Sequence, residues 1–395
     1  MNKTNSTKRI LINAVNLTGA GARSIGLSLI PNLVRLHPQW HFCILVPDEE
    51  EFRSLPLFDN AEILFEKRRR VVNNDILRLW EIFWQIPRLA EKKKAKVCLT
   101  LGDINPAGLP CPGVVFVQQA LLAYEQKEHP GVQTWPWGKR LCMQKLFSYT
   151  VRSSEAVIVQ SAVMAQRLHQ KYKIPLRKIQ IIRQPVPQAL REAALAAAPN
   201  QVMAGHKNNI KLLFLAKAYP HKNHAILAAV AQELRRRDLA GQVRIYTTIE
   251  GEAEARLAKE VLQNHGDVIT NLGALKATEV AGAFKAASAL FLPTLIESYG
   301  LIYLEAMTFG LPILTSDRDF AREMCRDQAI YFDPHDPLSI VDAIQNLPAF
   351  RKGHQVKNNA TAGAGRFPSD WKQVARGFMN VVQQALAEKE RGLTP

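Results

Sequence analysis

The chain has no pair of cysteines at redox or metal-ligating spacing, no apolar run that could cross a bilayer, and a shortage of acidic residues. Its five cysteines, Cys43, Cys98, Cys111, Cys142 and Cys325, are scattered and odd in number, with no CxxC or zinc pattern. A disulfide framework and a zinc site are therefore excluded. Cys43 and Cys98 sit in apolar strand-like runs, where cysteine acts as a small hydrophobe. No window approaches the roughly 20 apolar residues of a membrane span. The polar stretch Met1–Arg9 and the short run Ile10–Val15 do not make a secretory leader. The expected location is the cytoplasm, in a reduced state.

Acidic residues number 35 against 51 Lys+Arg, a net charge of +16 over 395 residues. The imbalance is local. Residues 1–200 hold 28 basic and 15 acidic side chains, net +13, whereas residues 201–395 hold 23 and 20, net +3. The first half therefore calls for an anionic partner: nucleic acid, a phosphorylated ligand or a membrane surface. With 47% apolar and 22% charged residues the chain is globular, and its length suits two or three domains.

Short β-branched runs alternate with helical patterns. The first half offers strands at Ile10–Val15, Phe42–Val46, Ala61–Phe65, Val97–Leu101, Val114–Gln118, Ala156–Gln160 and Ile179–Ile182. Several lack polar alternation, as strands covered on both faces do. Helices are predicted at Ser24–Leu36, Asn73–Lys93, Lys139–Arg152 and Ala162–Tyr172. The rhythm is that of a doubly wound α/β domain. Gln184–Asn209, with prolines and an alanine-rich patch, reads as an interdomain connection. A second series follows: strands at Ile210–Ala216, Val243–Thr247, Val268–Ile269, Ala289–Leu292 and Pro312–Leu314, and helices at His224–Arg237, Ala253–Asn264, Ala277–Ala287 and Gly300–Phe309. Ser369–Lys389 forms a closing helix. The expected organisation is an α/β domain over residues 1–190, a second over 205–365, and the final helix in 366–395. Two such domains imply a cleft for a small molecule.

Chemistry concentrates in the second domain. Pro293-Thr-Leu-Ile-Glu297-Ser-Tyr-Gly300-Leu-Ile-Tyr-Leu-Glu305 places two carboxylates eight residues apart, around a predicted helix start capped by Ser298. Gly300 lets a ligand approach the backbone, and the helix start offers N–H groups to an anion. Upstream, directly after a strand, Lys217-Ala-Tyr-Pro220-His-Lys222-Asn223 sets two lysines five apart in a loop shaped by proline, a suitable clamp for a pyrophosphate. Each piece alone has a plain alternative as a solvated surface. Together they lie at the carboxyl ends of strands of one sheet, where doubly wound folds bind ligands.

The order Lys-x4-Lys-Asn, then Leu272-Gly273, then Pro-Thr-x-x-Glu-Ser-Tyr-Gly-Leu-x-x-x-Glu-Ala-Met-x-x-Gly-x-Pro-Ile resembles the retaining family 4 (group 1) glycosyltransferases. Thr315-Ser316-Asp317, Arg322-Glu323 and Tyr331-Phe332-Asp333-Pro334 continue the likeness, which is dense over residues 210 to 345 and only in outline before them. The resemblance implies a GT-B fold, in which two Rossmann-like doubly wound domains face a cleft and the last helix crosses back to the first. It implies that Lys217 and Lys222 hold the donor diphosphate. Glu297, with the backbone of Ser298, Tyr299, Gly300 and Leu301, would face the donor sugar and phosphates, and Glu305 the ribose. Lys217 stands where the family has arginine, which keeps the charge but loses the bidentate fork.

In the first domain, Leu17-Thr-Gly19-Ala-Gly21-Ala-Arg23 lies between a strand and a helix and suits backbone approach to a phosphate. The family places a glycine-rich loop here, which makes Gly19 and Gly21 donor-site candidates and Arg23 an acceptor-side candidate. No full G-x-G-x-x-G with a following acidic residue is present, which argues against a dehydrogenase. Where the family carries a histidine near the sugar, this chain has Gln118-Gln119, and the nearest histidine is His129. Gln118 and His129 are the further acceptor-side candidates. Ser161 matches the family's helix-initiating serine. Basic and aromatic residues cluster from 67 to 140: Lys67–Arg70, Trp80, Phe83, Trp84, Lys92–Lys94, Trp135, Trp137, Lys139 and Arg140. Ile76, Trp80, Phe83, Trp84 and Pro87 share a helical face, read either as core or as an exposed stripe beside an anionic leaflet.

The expected activity is a retaining sugar transfer from a nucleotide-diphosphate sugar to a hydroxyl of a lipid-linked glycan, in surface polysaccharide or lipopolysaccharide synthesis. The expected place is the cytoplasm or the inner membrane face, against an anionic membrane. No metal, no other cofactor and no nucleic acid are expected. The alternatives are a nucleotide-sugar epimerase or a phosphorylase of the same fold, and a non-catalytic anionic-surface binder.

Overall fold

Strands that are apolar on both faces must be covered on both faces, and here the period of two divides them between two cores. The structure, a computed structural model, describes residues 8–66, 79–128, 136–186, 188–206, 209–250, 263–353 and 366–392. The first sheet comprises β1 (Lys8–Asn13), β2 (Trp40–Pro47), β3 (Ala61–Glu66), β4 (Val97–Thr100), β5 (Gly113–Phe116), β6 (Ala156–Val159) and β7 (Ile179–Ile181). All are parallel, in the order β3-β2-β1-β4-β5-β6-β7. Each predicted strand of this half is present within two residues. On one face Ile10, Ile12, Phe42, Ile44, Val97 and Leu99 join a core closed by helix α1 (Ala20–Leu36) and by the chain's last helix. On the other, Leu11, Cys43, Leu45 and Cys98 pack with Ile86 and Ala90 of α2 (Ile86–Lys92). Cys43 and Cys98 are thus buried free thiols, and burial raises the Cys43 thiol to about 11.

A π turn at Glu81–Gln85 runs into α2 and decides its buried side. Ile82, Ile86 and Ala90 are buried, while Trp80 and Trp84 are exposed. The tryptophans of the predicted stripe are therefore surface, not core. The unit continues with α3 (Trp137–Arg152) and α4 (Ala162–Tyr172). Ser161 caps α4, its hydroxyl accepting from Met164 N–H at 3.3 Å.

The stretch read as a connection is partly folded. Residues Gln188–Ala196 form helix α5, and Gln201–Ala204 a further turn capped by Asn200. Its alanines favour helix, and Leu190 and Met203 are buried. The second sheet comprises β8 (Ile210–Phe214), β9 (Val243–Thr247), β10 (Ile269–Asn271), β11 (Ala289–Leu292), β12 (Ile313–Ser316) and β13 (Ala329–Phe332). Its order is β10-β9-β8-β11-β12-β13, again all parallel. Helices α6 (Ile226–Arg236), α7 (Ala277–Ala286), α8 (Leu301–Thr308), α9 (Asp319–Cys325) and α10 (Pro337–Gly353) alternate with the strands. β13, α9 and α10 carry no pattern that the sequence reading recognised. The helix predicted at Ala253–Asn264 lies almost wholly outside the described residues, as do Lys67–Arg70, Ile76, His129 and Trp135.

The described residues divide into two compact units. One draws on Met1–Ala123, Trp137–Gln184 and Pro368–Pro395, the other on Tyr124–Pro136 and Pro185–Phe367. The last helix, α11 (Trp371–Glu390), belongs to the first unit. Asp370 caps it by accepting from Gln373 N–H at 2.9 Å, and its Phe378 meets Phe116 of β5 edge to face at 5.1 Å. Tyr124, assigned by sequence to the first domain, donates to Asp319 of the second unit at 3.1 Å.

Candidate functional site

In the second sheet the strand order reverses between β8 and β11, the place where open α/β sheets leave a crevice. The loop after β8 is pinned there from several sides. Pro220–Lys222 forms a 3-10 turn, and Asn223 follows in the left-handed region at φ 63°. The Asn223 side chain donates to the carbonyls of Pro293, 3.1 Å, and Pro334, 2.9 Å, tying the loops after β8, β11 and β13 together. The His221 carbonyl accepts from Leu295 N–H at 2.8 Å and from the Thr294 hydroxyl at 3.1 Å. The Lys222 Nζ donates to Glu297 Oε1, and both side chains are mostly buried, 18% and 13% exposed.

Lys217 lies on the other side of β8. Half exposed, it faces Glu250, beyond the end of β9, at 3.6 Å. Each of the two lysines predicted as a clamp thus has a carboxylate of a neighbouring strand end as its partner. Each lysine's charge is thereby compensated by a carboxylate.

The helix start differs from the predicted one. Gly300, not Ser298, is the N-cap of α8, at φ 77° and ψ 54°. A Cβ there would stand 2.7 Å from the Tyr303 ring, so both backbone and space demand glycine. Tyr303 is fully buried and its hydroxyl is 2.8 Å from that of Thr315, which in turn donates to Leu292 O at 3.1 Å. The first turn of α8 is held on β11 and β12 by this chain, with its leading N–H groups lacking helical partners. Glu305 lies on α8, where it makes no hydrogen bond or ion pair among the described residues. Burial pushes its carboxyl up to about 7. Such a group gains when a ligand hydroxyl donates to it.

One residue that the sequence reading passed over is His224. It is buried and stacks on Phe214 of β8 at 4.2 Å, with rings 19° from parallel. Burial, and then the charge of Lys222, lower its pKa to about 4, so it is neutral at pH 7. Its signal was its place two residues after Lys222, which periodicity alone does not distinguish from a helix start.

The first unit holds the other predicted residues. Its strand order reverses between β1 and β4, and the loop after β1 ends at Gly19, with Gly21 in the first turn of α1. Gly19 is the N-cap of α1, and both glycines border open space. Arg23, expected to face an acceptor, is tied by ion pairs to Glu49, 3.2 Å, and Glu51, and it donates to Thr18 O at 2.9 Å. Gln118 is fixed as well. Its N–H donates to Asp103 at 2.7 Å and its side-chain amide to Leu101 O at 3.0 Å, leaving its side-chain oxygen without a partner among the described residues.

Residues 201–361 match the family of glycosyl transferases group 1. That match lies wholly within the second unit. A D-inositol 3-phosphate glycosyltransferase from Frankia alni is 26% identical over 189 residues, 45% of this chain and 46% of that protein. The chain spans about half or less of the length of such curated relatives. Among solved structures, sucrose-phosphate synthase from Thermosynechococcus elongatus has a TM-score of 0.72 at 16% identity, over 96% of this chain and 99% of that one. Anabaena HepE, solved with UDP, has a TM-score of 0.66 at 13% identity, over 95% and 100%. These likenesses extend through both units and give the fold as GT-B, with two Rossmann-like sheets.

Proposed function

We propose that the chain is a retaining glycosyltransferase that moves a sugar from a nucleotide-diphosphate sugar to a hydroxyl of a lipid-linked glycan, in the synthesis of a surface polysaccharide or lipopolysaccharide. The observation that carries this reading is the Lys222–Glu297 pair at the reversal point of the sheet whose residues match the group 1 family, with Glu305 on the helix that follows Glu297. In this reading Lys222 and Lys217 release their carboxylates and take the donor diphosphate. The N–H groups at the start of α8 meet the same phosphates, and together these groups stabilise the charge of the departing nucleoside diphosphate. Glu297, freed from Lys222, turns to the sugar hydroxyls, and Glu305 accepts from the ribose. Gly19 and Gly21 bring bare backbone to the ligand, and the open oxygen of Gln118 accepts from a sugar hydroxyl where the family has histidine. No step requires a metal. Arg23 serves as a support for the glycine loop through Glu49 and Glu51. The protein acts in the cytoplasm or on the inner face of the membrane.

A panel of nucleotide sugars, incubated with a lipid-linked acceptor, tests the proposal. Transfer of sugar from one donor with retained anomeric configuration, lost in Glu297→Ala and Lys222→Ala, is the expected result. Epimerised donor without transfer overturns it in favour of an epimerase, and absence of donor binding by calorimetry in favour of a non-catalytic scaffold.

A further inference from the structure

The exposed tryptophans of the first unit are not scattered. Trp80 and Trp84 stand 47% and 50% exposed, one turn apart on the side of the 79–92 segment opposite Ile82, Ile86 and Ala90. Arg88 continues that exposed line a turn later. Helix α3 supplies a second line at four-residue spacing: Trp137, 81% exposed, then Leu141, Lys145 and Tyr149, 65% exposed. Phe83 joins the two lines. Its ring centroid is 5.9 Å from that of Trp84 and 6.4 Å from that of Tyr149. The opposite side of α3, with Met143, Phe147 and Val151, is buried, so the aromatic side is surplus to the core.

On the α3 side of this aromatic patch the charge has one sign, while the 79–92 side carries Glu81, mostly buried, and Glu91, with Glu66 bonded to Gln85. Helix α3 carries Lys139, Arg140, Lys145 and Arg152 and no acidic residue. From 129 to 191 the chain holds a single carboxylate side chain, Glu155, among eleven Lys and Arg. An amphipathic aromatic edge ringed by cations matches the headgroup zone of an anionic bilayer, where indole and phenol rings lie at the water–acyl boundary and each cation adds attraction. A protein partner would cover the apolar groups but needs its own acidic face. A nucleic acid would use the cations but leaves Leu141 and the rim of aliphatic carbon unused.

We propose that Trp80, Phe83, Trp84, Trp137, Leu141 and Tyr149, with Arg88, Lys145 and Arg152, form a docking surface for an anionic phospholipid bilayer. The proposal rests on the glycosyl-transfer reading only for the reason that a bilayer is nearby; the surface itself is independent of donor chemistry. Cys142, the exposed cysteine on α3, offers a reporter position beside it.

The test uses the full chain with an environment-sensitive fluorophore on Cys142 and vesicles of phosphatidylcholine with or without 30 mol% phosphatidylglycerol. The expected result is a blue-shifted signal and co-sedimentation with the anionic vesicles alone, reversed by salt. Trp84→Ala/Tyr149→Ala and, separately, Lys145→Glu/Arg152→Glu are expected to weaken binding at least tenfold. All four side chains are largely exposed, so both variants should fold, and circular dichroism checks this. Equal binding to neutral vesicles, binding unchanged by the variants, or displacement of vesicles by single-stranded RNA at equal charge overturns the proposal. Donor binding by calorimetry, measured on the same variants, is expected to be unchanged; loss of donor binding in the wild type would count against the transferase reading and leave the surface standing.

Discussion

Lys222 and Glu297 pair across the point where the second sheet reverses its strand order, each brought there by a loop at the end of its own strand. Neither loop is independent, because Asn223 and the His221 carbonyl lock them together on either side of the pair. Removing either partner leaves a mostly buried charge uncompensated. Lys222→Ala and Glu297→Ala are each expected to lower kcat/KM by about 100-fold or more, roughly 3 kcal/mol of transition-state stabilisation. In urea unfolding each should cost about 1–2 kcal/mol, and the double variant less than their sum, which is the signature of a direct pair.

Asn223 combines a left-handed backbone with an amide that satisfies two loop carbonyls. Asn223→Ala loses both features, and Asn223→Gly loses only the amide. The expected destabilisation is about 2 kcal/mol or more for alanine and about 1 kcal/mol less for glycine. Donor KM should rise in both, since the loop that presents Lys222 is released. Equal unfolding midpoints for the two variants would show that the backbone conformation contributes nothing.

Gly300→Ala places a methyl group against the Tyr303 ring at a backbone angle that L-residues avoid. A loss of about 2 kcal/mol or more is expected. The compound variant Gly300→Ala/Tyr303→Leu removes the clash but not the φ strain, so it should recover donor affinity only in part. Isothermal titration with the nucleoside diphosphate reads this directly.

Two groups withdrawn from water, His224 buried and Glu305 partly so, give opposite pH dependences. Glu305, raised from 4.5 to about 7, holds its proton more tightly folded than unfolded; its contribution is full below pH 4.5 and is lost as the pH rises to 7. His224, lowered from 6.5 to about 4, is held neutral; its contribution is full above pH 6.5 and is lost as the pH falls to 4. Between pH 4.5 and 6.5 the two slopes largely cancel. Glu305→Gln should therefore unmask stability that climbs with pH over that range, and His224→Phe stability that falls, each by up to about 3 kcal/mol. Urea unfolding at half-unit pH steps separates them. Donor affinity in the wild type is expected to rise as Glu305 ionises near pH 7, and in Glu305→Gln to lose that dependence.

Much of this was legible in the sequence. Both sheets could be read because their strands are short apolar runs between glycine, proline and polar turns, and because buried parallel strands need no alternation. In the candidate site, the places of Lys217, Lys222 and Glu297 just after strands were legible, and the structure pairs Lys222 with Glu297 but turns Lys217 to Glu250. What was not legible depends on tertiary contact. The side of the 79–92 segment that faces inward is set by a π turn, and the same residues suit core or surface until it is known. Ser298 has the better capping side chain, yet the left-handed Gly300 starts the helix because Tyr303 packs under it. The pairing of Arg23 with Glu49 and Glu51 crosses from one element to another 26 to 28 residues away, beyond any local pattern. The helix at Gln188–Ala196 was hidden by flanking prolines that mark its ends rather than its absence.

The last helix completes the core of the first unit, not the second. On the ribosome, strands β1 to β7 emerge first, yet one face of their sheet waits for Trp371, Val374, Phe378 and Val382 to be translated. The second unit has most of its chain in one stretch and can close before synthesis ends. The half that begins first is finished last, so the period of greatest exposure to proteases and chaperones falls on the unit that carries the positive charge.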